Sequence, residues 1–167
     1  LQLSQGSIDL LGYHPQRITT PIGAIRDLVE SSPEHPYARI GADRVAAAVD
    51  WFARRLGPTH LRGSGERNLQ LATAIGAVRP TAFAPPALAA GDLTAGMRVL
   101  VIGLTRLKDF HPRLVAANLE RATLPGGGGL AARGIEIDLV AREGEIDSSG
   151  VVFARAFDDP LMRARAA

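Results

Sequence analysis

Four residues near the start of the chain carry most of the donor chemistry. Ser4-Gln5-Gly6-Ser7 runs directly into the apolar stretch Ile8-Asp9-Leu10-Leu11. Glycine leaves the backbone N–H groups uncovered, so such a turn can approach an anion or a planar ring closely. Ser4, Gly6 and Ser7 are therefore candidates for contact through hydroxyl and backbone N–H. The alternative is an ordinary Ser/Gly turn, and the residues alone leave both open. Asp9 could accept from a sugar hydroxyl or cap a turn. A phosphate-cradling loop normally leaves a strand and enters a helix. No strand precedes Leu1 here, so the chain reads as a piece of a larger protein.

A second group lies mid-chain. Arg79 and Thr81 flank Pro80. A guanidinium recognises phosphate through paired N–H donors, which makes Arg79 a candidate for an anionic substrate. A salt-bridged surface arginine is the alternative. Gly103-Leu104-Thr105-Arg106 follows an apolar strand, the place where open α/β sheets bind ligands. It lacks a glycine fingerprint, leaving at most an anion site built from Thr105, Arg106 and a helix N-terminus. Asp109 opposes that, since its carboxylate would cap the same helix. His14, His35, His60 and His111 show no i, i+4 pair, and no carboxylates complete a metal set. His35-Pro36-Tyr37 reads as a rigid corner with Tyr37 bonded through its hydroxyl, or as a proton-transfer site. No catalytic residue is assigned.

The elements that must position these residues follow from periodicity and punctuation. Thr20-Pro21 opens a helix, with Thr20 as N-cap and Pro21 in the first turn. Ile22, Ile25, Leu28 and Val29 form its stripe, and Ser31-Ser32-Pro33 ends it. A second helix is expected over 42–56, burying Val45, Val49, Phe52 and Leu56, with Gly57-Pro58 as its stop. Short strands are expected at 68–72, 75–78 and 81–84, with prolines confining them to edges. Val99-Leu100-Val101-Ile102 reads as a strand buried on both faces. A helix over about 110–122, a flexible glycine connection at 126–129 and a strand at 135–140 complete a βαβ crossover. Ser148 is expected to cap a helix over 151–157, and Asp159-Pro160 to open another.

Composition sets the outer bounds. The 167 residues are 46% hydrophobic and 22% charged, with a net charge of +2, as expected of a globular chain with one core or two small layers. Lys108 is the sole lysine among the 19 basic residues. These are scattered without a run or an aromatic platform, which argues against nucleic acid as a partner. There is no apolar run long enough to span a bilayer. With no cysteine, the sequence excludes disulfides, thiolate metal sites and a thiol nucleophile within it.

Several segments share an order with one known family. Ser4-Gln5-Gly6-Ser7-Ile8-Asp9-Leu10-Leu11 resembles the S-S-G-S-(L/I)-D-L-L run of the B subunit family of anaerobic glycerol-3-phosphate dehydrogenase, with Gln5 in place of the second serine. His35-Pro36-Tyr37 with Ile40-Gly41 is similar to its HPY…LG. Gly76 to Thr81 resembles LG..R.T, Val99 to Leu104 with Asp109-Phe110 resembles VVGI…DF, and Ala154 to Asp158 resembles IARFLD. The resemblance spans almost the whole chain and corresponds to the middle of the family's chain. It implies a flavoprotein whose glycine-rich dinucleotide-binding βαβ unit would lie before Leu1.

The fold expected on that basis is α/β or α+β. It has a βαβ-containing layer, a small mixed sheet and a helical pair, as a fragment of a two-domain FAD-dependent-oxidoreductase-like fold. Residues 1–12 would form a cofactor-side segment. Residues 13–167 would form a substrate-side domain with the helical pair at 20–57, the small sheet at 59–90 and the βαβ unit at 98–141. The resemblance implies FAD or FMN as cofactor, touching Ser4, Gly6 and Ser7 in a site that is incomplete here; Arg79, from its own chemistry, is the candidate substrate ligand. It implies oxidation of sn-glycerol 3-phosphate to dihydroxyacetone phosphate, with electrons passing toward quinone. Partners would be other dehydrogenase subunits, including a membrane-associated iron–sulfur subunit. The location would be cytoplasmic, peripheral at the inner membrane face through those partners, and this stretch alone would be inactive. The rivals are a related flavin-dependent oxidoreductase with another substrate, and a non-enzymatic subunit-docking module.

Overall fold

The computed structural model describes residues 6–166. The chain divides into two compact units. One comprises 1–73, 78–95 and 124–128, and the other 74–77, 96–123 and 129–167. No helix among the described residues is long and apolar enough to cross a membrane.

The first unit is built on four helices and two small antiparallel ladders. Helix α1 (Pro21–Ser31) starts with proline at its first position, where a missing N–H costs nothing. Thr20 occupies the N-cap, but its hydroxyl makes no cap bond. Ile22, Ile25 and Val45 form a core with half-buried Leu10, Leu11, Val29 and Tyr37 around it. The His35 corner becomes a short helix, α2 (Pro36–Ile40), a turn too brief for periodicity to announce. Helix α3 (Ala42–Leu56) lies between Gly41 and Gly57, both at positive φ. Only Val45 of its expected stripe is buried, and Phe52 and Leu56 are exposed. Val49 of the expected stripe packs against the second core, and the rest of the packed face is made of small residues, Ala42, Ala46 and Ala53. Small side chains let the helix sit close, and the larger apolar residues fall at the margin and beyond.

Strand β1 (Arg62–Gly63) pairs with β4 (Phe83–Ala84), and β2 (Leu69–Ala72) pairs with β3 (Val78–Thr81), both antiparallel. The expected small sheet thus takes the form of two ladders, followed by helix α4 (Pro86–Ala89). Pro80 sits opposite Gln70 in β3, tolerated because a two-stranded ladder is all edge. The strand expected at 75–78 is instead a turn, with Gly76 at φ 81°. Phe83, Ala82 and Leu61 form a second core. The glycine-rich stretch is not a loose connection. Leu124 N–H donates to Gly128 O at 3.2 Å and Gly127 N–H to Leu124 O at 3.1 Å. Gly126, Gly127 and Gly128 all adopt left-handed φ to close that turn.

The second unit is the expected βαβ crossover. Strands β5 (Arg98–Leu104) and β6 (Ala131–Ile137) run parallel in register, joined through helix α5 (Pro112–Arg121). Gly103 and Gly134 lie beneath the start of α5, where a Cβ would come within 2.6 Å and 2.4 Å of Pro112. Val115, Ala116 and Leu119 are buried on the helix. Strand β5 is not buried on both faces. Leu100 is 54% and Ile102 52% exposed, because α5 covers one face and nothing among the described residues covers the other. Strand β6 begins four residues before the expected start, since Ala131 to Gly134 pair with β5 without an apolar signal.

Two caps differ from expectation. His111 is the N-cap of α5 and Pro112 fixes its first turn, so Asp109, at φ 64°, lies in the preceding loop. Ser149, not Ser148, is the N-cap of α6 (Gly150–Ala156). Ser148 is buried and ties two loops together. Its N–H donates to Arg106 O at 2.7 Å, its carbonyl accepts from Lys108 N–H at 2.9 Å, and its hydroxyl donates to Glu145 Oε2 at 2.6 Å. Helix α7 (Pro160–Ala166) follows, with Asp159 accepting from Leu161 N–H.

In the second unit the turn at Gly76 meets α5. A Cβ there would lie 2.4 Å from Val115 O, on top of the left-handed φ. Gly144, at φ 78°, has open space around it. Gly144→Ala should cost only backbone strain, about 1–2 kcal/mol. Gly76→Ala should cost clearly more, as read by denaturant unfolding of the full-length protein.

The Ser148 hydroxyl, helped by Arg142, holds the Glu145 carboxyl below its ordinary range. A depressed carboxylate stabilises above its unfolded pKa and loses that contribution as pH falls through the folded pKa. Amide exchange at Ser148 should therefore accelerate as pH is lowered through the carboxylate range, once corrected for intrinsic rates. Glu145→Gln should flatten that dependence.

Candidate functional site

The candidate donors near the start are held by a series of backbone bonds. Ile8 bridges to Phe83, donating at 2.8 Å and accepting from the N–H groups of Ala82 and Phe83 at 3.1 Å. Leu10 O accepts the Tyr37 hydroxyl at 2.7 Å. Leu11 O accepts Asn68 Nδ2 at 2.9 Å, and so does Ile18 O. Gly12 O accepts Ile18 N–H, and the Tyr13 hydroxyl donates to Val78 O at 3.3 Å. Asn68 is buried, with its own N–H on Thr19 O. The segment from Ile8 to Tyr13 thus has a defined path along β3 and β4.

The His35 corner belongs to this scaffold. His35 Nδ1 accepts Tyr37 N–H at 3.1 Å, and the two rings lie 5.1 Å apart. Burial raises the Tyr37 hydroxyl above its ordinary pKa, which keeps it a donor to Leu10 O. The structure places His35 as the N-cap of α2, its Nδ1 taken by Tyr37 N–H.

Arg79 reaches from β3 to the opening segment. Its Nη2 donates to Ser7 Oγ at 3.1 Å, and its Nη1 lies 3.3 Å from Asp9 Oδ2. The guanidinium is about one-third exposed. Gly6 lies one residue before Ser7, at φ 71°, and a Cβ there would come 3.2 Å from Pro85 Cγ. Two of the residues singled out for cofactor contact, Gly6 and Ser7, are therefore gathered with the one singled out for substrate. Ser4 lies outside the described residues.

Two polar atoms in this hairpin stand out. Thr81 Oγ1 and Gln70 Oε1 are buried and have no hydrogen-bond partner among the described residues. Leaving a buried hydroxyl or amide unpaired is costly. Strand alternation puts Thr81 on the same face of β3 as Arg79. The result is a hydroxyl acceptor, a guanidinium with spare N–H donors and an unused hydroxyl, all on or against one strand. That set suits a planar polar ring edge or a phosphate. Sequence reasoning named Asn68 only as part of a strand and gave Gln70 no role. Their one signal was polar residues at positions flanked by apolar ones.

The loop after β5 is a poorer anion site than its position suggests. The Thr105 hydroxyl donates to Asp138 Oδ1 at 2.9 Å. Arg106 Nη1 donates to Glu145 O at 3.0 Å, and its Nε lies 3.9 Å from Asp138. The donors that an anion would use are already turned onto this loop's own acceptors. Among the described residues no group of His, Asp and Glu is placed to hold a metal.

Comparison with known proteins identifies the family. The FAD binding domain family matches residues 1–158. The B subunit of the anaerobic glycerol-3-phosphate dehydrogenase from Yersinia pestis bv. Antiqua (strain Antiqua) is 33% identical over 129 residues, covering 72% of this chain and 30% of the relative. The same subunit from Actinobacillus succinogenes is 33% identical over 127 residues with the same coverage. That from Haemophilus influenzae (strain PittEE) is 32% identical over 131 residues, 71% of this chain. The chain spans about 30% of the length of these curated relatives. No solved structure gives a significant match. Because the family match takes in the opening segment, both ladders and the βαβ crossover together, the chain belongs to the FAD binding domain family.

Proposed function

We propose that this chain is the central part of the B subunit of an anaerobic, quinone-linked glycerol-3-phosphate dehydrogenase. The observation that carries the reading is the Arg79 cluster: one guanidinium bonded to Ser7 beside Gly6, with an unpaired buried Thr81 hydroxyl on the same strand face. The residues fit FAD. Gly6 carries no side chain to stand between its backbone and a ring or phosphate, and Ser7 offers a hydroxyl. Ser4 would extend the same run. FAD, when bound, would supply the acceptor for the hydride that leaves C2 of sn-glycerol 3-phosphate, the hydroxyl proton passing to solvent as the ketone of dihydroxyacetone phosphate forms.

What the chain's own residues contribute is binding and orientation. Arg79 has five N–H donors and a single positive charge. Ser7 and Asp9 engage part of that fork and aim it, and the exposed remainder can take a phosphate. Asp9 also competes with that phosphate, so anion binding must draw Arg79 partly off its carboxylate. Residues 1–12 then act as the cofactor-side segment and 13–167 as the substrate-side region. Electrons pass to quinone through other subunits, a membrane-associated iron–sulfur subunit among them, on the cytoplasmic face. A related flavin-dependent oxidoreductase acting on another anionic substrate would use the same arrangement.

The full-length protein should show a bound-flavin absorbance spectrum. Gly6→Leu, which adds a side chain at a left-handed residue against Pro85, together with Ser7→Leu, should abolish it without unfolding the protein. A colourless full-length protein that takes up no added FAD would overturn the cofactor assignment. Arg79→Ala should leave flavin content intact and raise KM for sn-glycerol 3-phosphate at least about tenfold, the loss of one charge-assisted contact. An unchanged KM would remove phosphate recognition from Arg79.

A further inference from the structure

We propose that β5 is an inner strand of a larger parallel sheet, completed by this chain's own continuation beyond α7. A third parallel strand pairs with the outer edge of β5, and the helix that leads into it covers the face bearing Leu100 and Ile102. This holds whichever substrate the protein oxidises. The ladder between β5 and β6 leaves two edges. Ala131 N–H donates to Met97 O, and Thr105 N–H donates to Ile137 O. Odd-numbered backbone groups of β5 therefore face β6, and even-numbered ones face away. Leu100 and Ile102 turn their N–H and C=O outward, and neither has a backbone partner among the described residues. Such a row of unpaired groups is a template for another strand. The outer edge of β6 is less open, because its Ala132 N–H is taken by Glu120 Oε1 at 3.3 Å.

The path of the chain selects the occupant. Ser148 N–H donates to Arg106 O and Lys108 N–H donates to Ser148 O, a parallel bridge on the outer side of β5. After β6 the chain has thus crossed the C-terminal end of the sheet before α6 and α7 begin. Parallel strands of one chain are joined by a crossover of about a dozen residues or more, and α6 and α7 lie within such a connection. Growth of the sheet from β5 to β6 puts α5 on one face. Growth in the opposite sense puts a right-handed crossover on the other. Gly103 and Gly134 lie beneath α5, so alternation sets Leu100, Ile102 and Leu104 with Ile135 and Ile137 on that other face. Leu100 and Ile102 are the most open of these, at 54% and 52%, whereas parallel sheets are covered on both faces. Arg98 and Arg133 share the face at its N-terminal end, where their stems can lie along a packed helix with the guanidinium groups in water. One connection accounts for the open edge and the open face together. There is length for it, since the chain spans about 30% of the curated relatives it matches. A second copy would pair edge to edge about a two-fold axis, which makes the strands antiparallel. Another subunit would leave the crossing at Ser148 unexplained.

The test reads amide hydrogen exchange in the isolated full-length protein, with no variant needed. Val99, Val101 and Gly103 N–H face β6 and serve as the internal reference. Leu100 and Ile102 N–H should be slowed at least about a hundredfold from their intrinsic rates, as the reference amides are, because a third strand accepts from them. Exchange of these two near the intrinsic rate overturns the third strand. Protection that rises with protein concentration, or that needs the other dehydrogenase subunits, overturns the occupant in favour of a second copy or another chain. A benzophenone-bearing residue placed at position 100 of the full-length chain reads the face separately. Illumination should join it to the stretch C-terminal to Ala167 of the same polypeptide. A cross-link to the stretch before Leu1 or to another polypeptide, or none at all, would overturn the proposed cover.

Discussion

The buried carboxamide of Asn68 is the constraint on which the first unit depends. One NH2 group holds Leu11 O and Ile18 O together, and the Asn68 backbone holds Thr19 O. The chain from 11 to 19 must therefore return on itself before α1 begins. That closure brings the preceding residues alongside β4, where Ile8 completes the pairing with Phe83. Without it, Leu10 would have no fixed place opposite Tyr37, and Ser7 would have none opposite Arg79. A buried amide is worth little net energy when satisfied, but much when orphaned. Its role here is to make one loop path far better than its alternatives.

The same logic divides the polar groups of the molecule into two classes. Asn68, Tyr37 and Ser148 are buried or half-buried with their donors used, and they fix backbone. Arg79, Thr81 and Gln70 retain capacity: the first is part-exposed, and the others hold unpaired atoms. Spare polar capacity beside a positive-φ glycine is what distinguishes the opening segment from the loop after β5. In that loop, Asp138 and Glu145 have absorbed Thr105 and Arg106.

Much of the architecture was legible because it rests on local chemistry. Pro21, Gly41 and Gly57 bound two helices within a residue of their expected limits, and the apolar run at 99–102 marks β5. The α/β class and the flavoprotein family followed from those signals and from ordered motifs. What failed was anything set by tertiary neighbours. Phe52 and Leu56 have the right period for a core, yet smaller Ala and Val residues pack instead, because approach distance decides which stripe is buried. Leu100 and Ile102 look like the inside of a doubly covered sheet, but α5 packs on the other face of β5 and nothing among the described residues covers theirs. Ser148 and Asp109 have cap-forming side chains, and a shift of one or two residues gives each a different task. The Ser7–Arg79 contact joins positions 72 residues apart, which no local pattern encodes.

Gly126, Gly127 and Gly128 carry a consequence for how this chain varies. Their φ values of 82°, 82° and 93° belong to the left-handed region, and a Cβ at the first two would meet nothing within 4 Å. At those two, backbone torsion rather than crowding excludes side chains, and at Gly128 a Cβ would also press on Ala95 at 3.1 Å. Exposed loops ordinarily drift in sequence, and constancy in one is commonly taken as a sign of ligand contact. Here three adjacent exposed positions would resist drift with no ligand involved. A saturation-mutagenesis map would display them as an intolerant island, and inserting even one residue should be harder to accommodate than in an ordinary connection of the same length.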